Sequence, residues 1–217
     1  MTKDALGELA AMRENYLDGA LLRENLDACP LVQFSVWLKA YEEMGSSEVN
    51  ACTLATAKPS GEPSVRAVLL KGVEDGGFVF FTNYESRKSK ELDENPNAAM
   101  HFPWWSMERQ VSVEGIVERL DEELAASYFS SRPLESRLGA WASRQSRVLD
   151  SRKILEKAFD EMAERFGDNP PKPDFWGGYK LIPQSLEFWQ GRAGRLHDRF
   201  VYRPEGKGRW RIERLYP

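Results

Sequence analysis

An antiparallel α+β fold, a barrel or sheet with helices around it, is predicted by three features of this 217-residue sequence. Strand-length apolar runs follow one another in hairpin-like succession, separated by turns rich in Pro and Gly. Helical segments lie between and around these runs, without the strict alternation of a βαβ fold. No GxGxxG or Walker A motif is present, so a dinucleotide- or nucleotide-binding α/β fold has little support.

The elements follow in order. Asp4 to Tyr16 carries Leu6, Leu9 and Met12 on one helical face, and Asp18-Gly19 breaks the pattern. Pro30 opens a second helix with Leu31, Phe34, Trp37, Leu38 and Tyr41 at helical spacing, and Gly45 ends it. Residues 51–57 read as a strand, Pro59 to Pro63 as a turn and 64–71 as the returning strand. Asp75-Gly76-Gly77 turns into a strand over 78–82. Residues 86–94 form a short helix closed by Asn95-Pro96, and 98–105 and 110–120 are longer strands. Asp121 caps a helix that Pro133 stops near Ser131. Asp150 to Phe166 is amphipathic, and Pro170 to Pro173 closes it off. The last strands are read at 178–182, 185–190, 196–203 and 209–215. A single domain over 1–217 is expected, with 1–45 as a helical segment packed on it.

Composition sets the class. Apolar residues are 41% and charged residues 29%, as in soluble globular proteins. Thirty basic against 34 acidic side chains leave a net charge of −4, which argues against a nucleic-acid binder. The two cysteines, Cys29 and Cys52, have no CxxC partner, and the two histidines, His101 and His197, are scattered. Buried thiols and no metal site are the expectation. No apolar run reaches the roughly 20 residues that span a bilayer, and charges at Lys3, Asp4 and Glu8 interrupt the start. A cytoplasmic protein without membrane contact is expected.

Four constellations could carry chemistry. In Ser86-Arg87-Lys88-Ser89-Lys90, basic residues occupy the first turn of a helix, where the dipole is already positive. An anion at that terminus would reconcile them; a solvated surface helix would also carry such charges. Arg66 and Lys71 flank four apolar residues, Ala67, Val68, Leu69 and Leu70. On a regular strand the two cations face opposite ways, so they share a ligand only if the strand twists, bulges or ends nearby. Tyr128, Arg132 and Ser136 are four apart, a hydroxyl–guanidinium–hydroxyl set suited to a phosphate monoester, with Pro133 requiring Ser136 to return through a turn. Arg195, His197 and Arg199 line one face if their segment is a strand, and His197 is an imidazole suited to proton transfer. Trp189 could wall a flat ring, although plain core packing is the more common role of such a residue.

Together these segments resemble the pyridoxine/pyridoxamine 5′-phosphate oxidase family. The match lies in Arg66-Ala-Val-Leu-Leu-Lys71, Phe81-Thr-Asn-Tyr-Glu-Ser-Arg-Lys88, Glu108-Arg-Gln110, Tyr128-Phe-Ser-Ser-Arg-Pro133, Trp176-Gly-Gly178, Glu187-Phe-Trp-Gln-Gly191, Arg195-Leu-His-Asp-Arg199 and the terminal Arg214-Leu-Tyr-Pro217. Phe81 stands where some relatives carry Tyr. The resemblance implies a split β-barrel that binds FMN at a homodimer interface. It assigns Arg66 to Lys71, Phe81, Thr82, Arg87, Lys88, Gln110, Gln145, Ser146, Trp189 and Arg199 to FMN, some of them from the second subunit. It assigns Lys71, Tyr128, Arg132 and Ser136 to the substrate phosphate, and Arg195 and His197 to the pyridine ring and its reacting carbon. Arg13 and Tyr16 belong to an N-terminal segment that can close over the substrate. The implied reaction oxidises pyridoxamine or pyridoxine 5′-phosphate to pyridoxal 5′-phosphate, with dioxygen as acceptor and hydrogen peroxide as by-product. His197 is a candidate proton acceptor and Arg195 an orienting group. A related flavin oxidase acting on another ring, or a non-catalytic module that binds FMN or pyridoxal phosphate, are the alternatives.

Overall fold

The computed structural model describes Tyr16 and residues 19–217. The expected helix over 4–16, apart from Tyr16 itself, lies outside the described residues, as does Arg13. Among the described residues, nine strands pair into one sheet in the order β2-β1-β5-β6-β7-β4-β3, with β8 on β7 and β9 on β8. They are β1 (Ala51–Ala57), β2 (Pro63–Leu69), β3 (Gly72–Glu74), β4 (Gly77–Asn83), β5 (Asn97–Trp104), β6 (Arg109–Arg119), β7 (Trp176–Gln190), β8 (Asp198–Gly206) and β9 (Arg209–Leu215). The helices are α1 (Pro30–Glu43), α2 (Arg87–Glu94), α3 (Glu122–Ser131), α4 (Leu134–Ala142) and α5 (Arg152–Phe166). The sheet is antiparallel and curled, the split-barrel arrangement that the resemblance implied.

The residues group into two compact units. The first holds the described residues up to Ser47 together with Phe102–Ser112 and Ser185–Pro217. Its core is aromatic. Trp37 on α1 meets Phe188 edge-on at 5.2 Å, and Phe34 meets Phe102 at 4.9 Å. Their alternate placement on β5 and β7 follows from the two-residue period of a strand, which sends Phe102 and Trp104, like Leu186 and Phe188, to one buried face.

The second unit holds Glu48–His101 and Val113–Gln184. Here β1 pairs with β2 in the register Ala51↔Leu69 to Ala57↔Pro63, and with β5 at Thr53↔His101. β4 pairs with β7, Phe81 opposite Gly178. Asp121 caps α3 as expected, its Oδ1 accepting from the N–H of Glu123 at 2.7 Å and of Leu124 at 3.4 Å. The apolar face expected over 150–166 belongs to α5, which buries none of its residues fully.

Three expectations are corrected. The strand expected over 64–71 ends at Leu69; the Lys71 N–H turns to the Val79 carbonyl at 2.8 Å and β3 begins at Gly72. Pro133 stops α3 but also occupies the N-cap of α4, which the sequence reading lacked. Its ring presets φ for a helix start, and the missing N–H is not needed there. The strands expected at 178–182 and 185–190 are one strand, because the φ of Pro183 suits extended backbone and costs only one ladder bond.

β6 and β7 come so close that a Cβ on Gly115 would lie 2.0 Å from the Ile182 carbonyl oxygen. Backbone cannot yield as a flexible side chain does. Gly115→Ala is therefore expected to destabilise the protein by about 1–3 kcal/mol, read as a lowered Tm.

Candidate active site

In the second unit a cavity of about 750 Å³ opens between β2, β4 and the α3–α4 corner. It is lined by Arg66, Ala67, Val68, Leu69 and Lys71 from the end of β2, and by Phe81, Thr82 and Lys88. Tyr128, Arg132, Ser136 and Gln145 complete the part of the wall that sequence reasoning expected. Arg66 and Lys71 share this wall because the strand ends between them. Leu70 is buried and absent from the lining.

Lys88 is the most unusual group. Its residue is 8% exposed, and its Nζ donates to Gln145 Oε1 at 2.8 Å, Thr82 Oγ1 at 3.0 Å and Ser86 Oγ at 3.3 Å. Among the described residues it has no carboxylate partner. Burial, and then the nearby Arg66 guanidinium, push its pKa down to about 8. A buried cation held only by neutral acceptors costs free energy unless an anion joins it.

Arg132 is the second such group. Its guanidinium lies over the Trp176 ring at 4.9 Å and the Phe129 ring at 5.6 Å. Nη1 is buried with no hydrogen-bond partner, and burial lowers the pKa. Trp176 in turn stacks with Phe81 at 5.4 Å and 5°, and Phe81 with Tyr128 at 4.0 Å and 17°. Gly178 makes room for that stack, since a Cβ there would lie 2.8 Å from the Phe81 ring.

Glu91 organises the cations that do have a partner. Its carboxylate accepts from Thr56 Oγ1 and Ser64 Oγ at 2.5 Å each, from Arg87 Nε at 2.8 Å and from Arg66 at 3.3 Å. Burial would raise its pKa, but the bonds from Ser64, Thr56 and Arg87 outweigh this and bring it to about 2. Arg87 is thus engaged by Glu91, and its N–H donates to Ser146 Oγ at 3.2 Å. Ser86 occupies the N-cap of α2 without capping it, its hydroxyl paired with Ser89 instead. At this terminus Lys88 is therefore the cation left with neutral partners only.

The other expected residues lie in the first unit. Gln110 is half-buried on β6. Trp189 packs against His197, ring centres 4.6 Å apart, and Tyr16 meets both edge-on at 5.8 and 5.5 Å. Arg195, His197 and Arg199 do not alternate along one strand as expected. Residues Ala193–Arg195 form a 3-10 turn with Gly194 and Arg195 at φ 66° and 62°, and β8 starts only at Asp198. Arg199 is bound in two places by Glu187, at 2.7 and 2.9 Å, and by the Tyr216 carbonyl at 3.0 Å. Burial, and then Arg195, hold the pKa of His197 below the usual imidazole value.

Sequence reasoning gave no role to Glu91 or Trp176. The Arg87–Glu91 spacing of four on a helix was a usable signal for the first. Nothing local marks Trp176 as the plate under Arg132. Among the described residues no group of His, Cys, Asp and Glu could hold a metal ion, and no helix is long and apolar enough to cross a membrane.

Beside the exposed Lys71, the cavity of this split barrel presents a buried and a half-buried cation, Lys88 and Arg132, for which the described residues show no carboxylate partner, a lining with the chemistry of an anion site. The chain belongs to the pyridoxine/pyridoxamine 5′-phosphate oxidase family. Residues 39–166 match the sequence profile described as pyridoxamine 5′-phosphate oxidase, and 176–217 match the profile of the pyridoxine 5′-phosphate oxidase C-terminal dimerisation region. The pyridoxine/pyridoxamine 5′-phosphate oxidase of Burkholderia mallei (strain SAVP1) is 53% identical over 211 residues, covering 96% of this chain and 99% of that protein. Its counterpart in Burkholderia thailandensis is 52% identical with the same coverage. Among solved structures, PhzG from Burkholderia lata 383, in complex with tetrahydrophenazine-1-carboxylic acid, superposes with a TM-score of 0.85 at 28% identity, covering 91% of this chain and 98% of that one. A pyridoxamine 5′-phosphate oxidase-related, FMN-binding protein from Nostoc punctiforme shares the fold with a TM-score of 0.69 at 16% identity, covering 88% of this chain and 100% of that one.

Proposed function

We propose that this protein is an FMN-dependent oxidase that converts pyridoxamine and pyridoxine 5′-phosphates to pyridoxal 5′-phosphate, with dioxygen as electron acceptor and hydrogen peroxide as by-product. The observation that carries this reading is that the two cations withdrawn from solvent in one cavity, Lys88 and Arg132, show no carboxylate partner among the described residues. Cofactor and substrate are both phosphate monoesters, and each cation sits in a set suited to one. Lys88, with Arg66, Thr82 and Gln145, suits the FMN phosphate. Arg132, with Lys71, Tyr128 and Ser136, suits the substrate phosphate, where a guanidinium and two hydroxyls can bind three oxygens. A volume of about 750 Å³ is that of a cofactor or ligand site. The assignments of Leu70, Arg87, Gln110, Ser146, Trp189 and Arg199 to FMN, and of Arg13 to the substrate, rest on the family resemblance, as does the homodimer, in keeping with the dimerisation profile over 176–217.

FMN, when bound, supplies the two-electron acceptor. The chain's own residues bind, orient and shield. Arg132 anchors the substrate by its phosphate, so binding energy far from the reacting carbon fixes the position of that carbon. Tyr16, Trp189 and His197 form an aromatic corner of the kind that receives a flat ring. Arg195, exposed and held at positive φ, is a fixed positive charge for the ring's polar substituents.

The PhzG likeness favours a second reading, in which the ring is an unphosphorylated tricyclic acid. One experiment separates the two. The purified protein is mixed anaerobically with pyridoxamine 5′-phosphate while the flavin absorbance is followed, and air is then admitted. Bleaching and recovery, with pyridoxal 5′-phosphate and peroxide formed, are expected. A flavin that stays oxidised with this substrate but bleaches with a dihydrophenazine acid would move the assignment to the second reading. A flavin that neither bleaches would point to a binding module.

A further inference from the structure

His197 does not present a free base on both ring nitrogens. The backbone N–H of Arg192 donates to His197 Nδ1 at 3.1 Å. A neutral imidazole with Nδ1 accepting carries its proton on Nε2, so Nε2–H is a donor. To take a proton at Nδ1, the ring would have to give up the Arg192 bond.

The side chain of Arg192 explains why its N–H stays there. The segment from Gly191 to Leu196 has little regular structure of its own, and Gly194 and Arg195 are both left-handed. The Arg192 guanidinium ties it down, donating to the Gly19 carbonyl at 3.1 Å and lying 3.8 Å from Asp198 Oδ2. Asp198 is 9% exposed and accepts from the Leu21 N–H at 3.1 Å and from Arg214 at 2.6 Å. Gly19 and Leu21 are thus latched to the loop that carries the imidazole. Tyr16, three residues before Gly19, sits against the His197 ring.

We infer that Arg192 is a positioning residue: its side chain latches the loop to the chain at Gly19, and its backbone N–H thereby holds His197 as a hydrogen-bond donor through Nε2. Resting on the proposed oxidase reading, this makes His197 a group that polarises an acceptor atom of the substrate, and a group other than this imidazole takes the substrate's proton. Among the described residues, Arg195 is the charge acting on the ring and Tyr16 the titratable side chain against it; Arg192 meets the ring through its backbone N–H while its guanidinium goes to Gly19 and Asp198, whose carboxylate also binds Leu21 and Arg214. Burial, and then the Arg195 charge, lower the pKa of His197, so the tautomer assignment rests on the Arg192 bond alone.

The test is spectroscopic and needs no turnover, so it can fail while the oxidase reading stands. The chain has two histidines, and a His101→Gln variant assigns their signals. In ¹⁵N-labelled protein as purified, His197 is expected to show one tautomer, Nδ1 bare and Nε2 protonated, with a midpoint below the ordinary imidazole value. Arg192→Ala should move that midpoint upward and mix the tautomers, and Arg192→Lys should restore the parent pattern. An Nδ1-protonated ring in the parent protein, or an Arg192→Ala spectrum and midpoint identical to the parent's in a folded protein, would overturn the inference.

Discussion

Replacing Lys88 by methionine is expected to weaken FMN binding by on the order of 10- to 100-fold while leaving the apoprotein at least as stable as its parent. The two effects part company because Lys88 is a cation in the wrong place for folding and the right place for an anion. Buried among Gln145, Thr82 and Ser86, it has given up water for neutral acceptors alone. Methionine of similar length removes the uncompensated charge. The acceptors left behind still have partners, since Thr82 donates to Gln145 at 3.3 Å and Ser86 pairs with Ser89 at 3.1 Å. A cation that merely stabilised the fold would give the opposite result, with stability lost and affinity kept.

The pH dependence carries the same sign. Burial lowers the pKa of Lys88 from the usual 10.5 to about 8. Between those values the unfolded chain binds more protons than the folded one, so the contribution of Lys88 to apoprotein stability improves as pH rises through that window. An anion beside Lys88 favours the charged form, so FMN affinity should fall as pH climbs past about 8. Fluorescence titration of apoprotein with FMN across this range, beside thermal unfolding of both proteins, checks each arm. Undiminished FMN affinity in Lys88→Met would refute the anion-site assignment.

How much of this was legible beforehand divides along physical lines. The mismatch between basic residues and a helix dipole drew attention to the start of α2, because that argument needs only sequence and local geometry. It could not choose between Arg87 and Lys88. The choice is made by Glu91, four residues on, which engages Arg87 and leaves Lys88 with neutral partners. Arg66 and Lys71 looked incompatible on a regular strand; the strand's end at Leu69 reconciles them, and only the Lys71–Val79 bond reveals it. Pro133 was read as a stop when the same fixed φ also starts α4 and sets Ser136 in its first turn. The aim of Arg132 depends on Trp176, more than forty residues away in the chain, through a contact that no local pattern encodes. Alternation misled at Arg195, since Gly194 allowed a left-handed turn where a strand was expected.

The largest effect on catalysis is expected at His197, and its size should depend on what replaces the ring. If Nε2–H serves the reaction as a donor, His197→Leu should lower kcat roughly 100-fold, with FMN retained. His197→Gln places an amide N–H near the former Nε2 and should stay within about tenfold of the parent, the scale of one imperfect hydrogen bond. A general base leaves a different record, because glutamine cannot take a proton and would fall as far as leucine. The pH profile separates the roles again. Burial and Arg195 lower the pKa of His197, so a base there would lose activity as pH falls through a midpoint below the ordinary imidazole value. A donor keeps its Nε2–H in both ionisation states and loses only the Arg192 bond at Nδ1, so titration of this ring alone should change kcat far less than it would for a base. Steady-state kinetics of the parent and both variants across the acid range decide the matter: equal losses in the two variants, together with a parent profile that breaks at the midpoint measured for His197, would restore the imidazole as the proton acceptor.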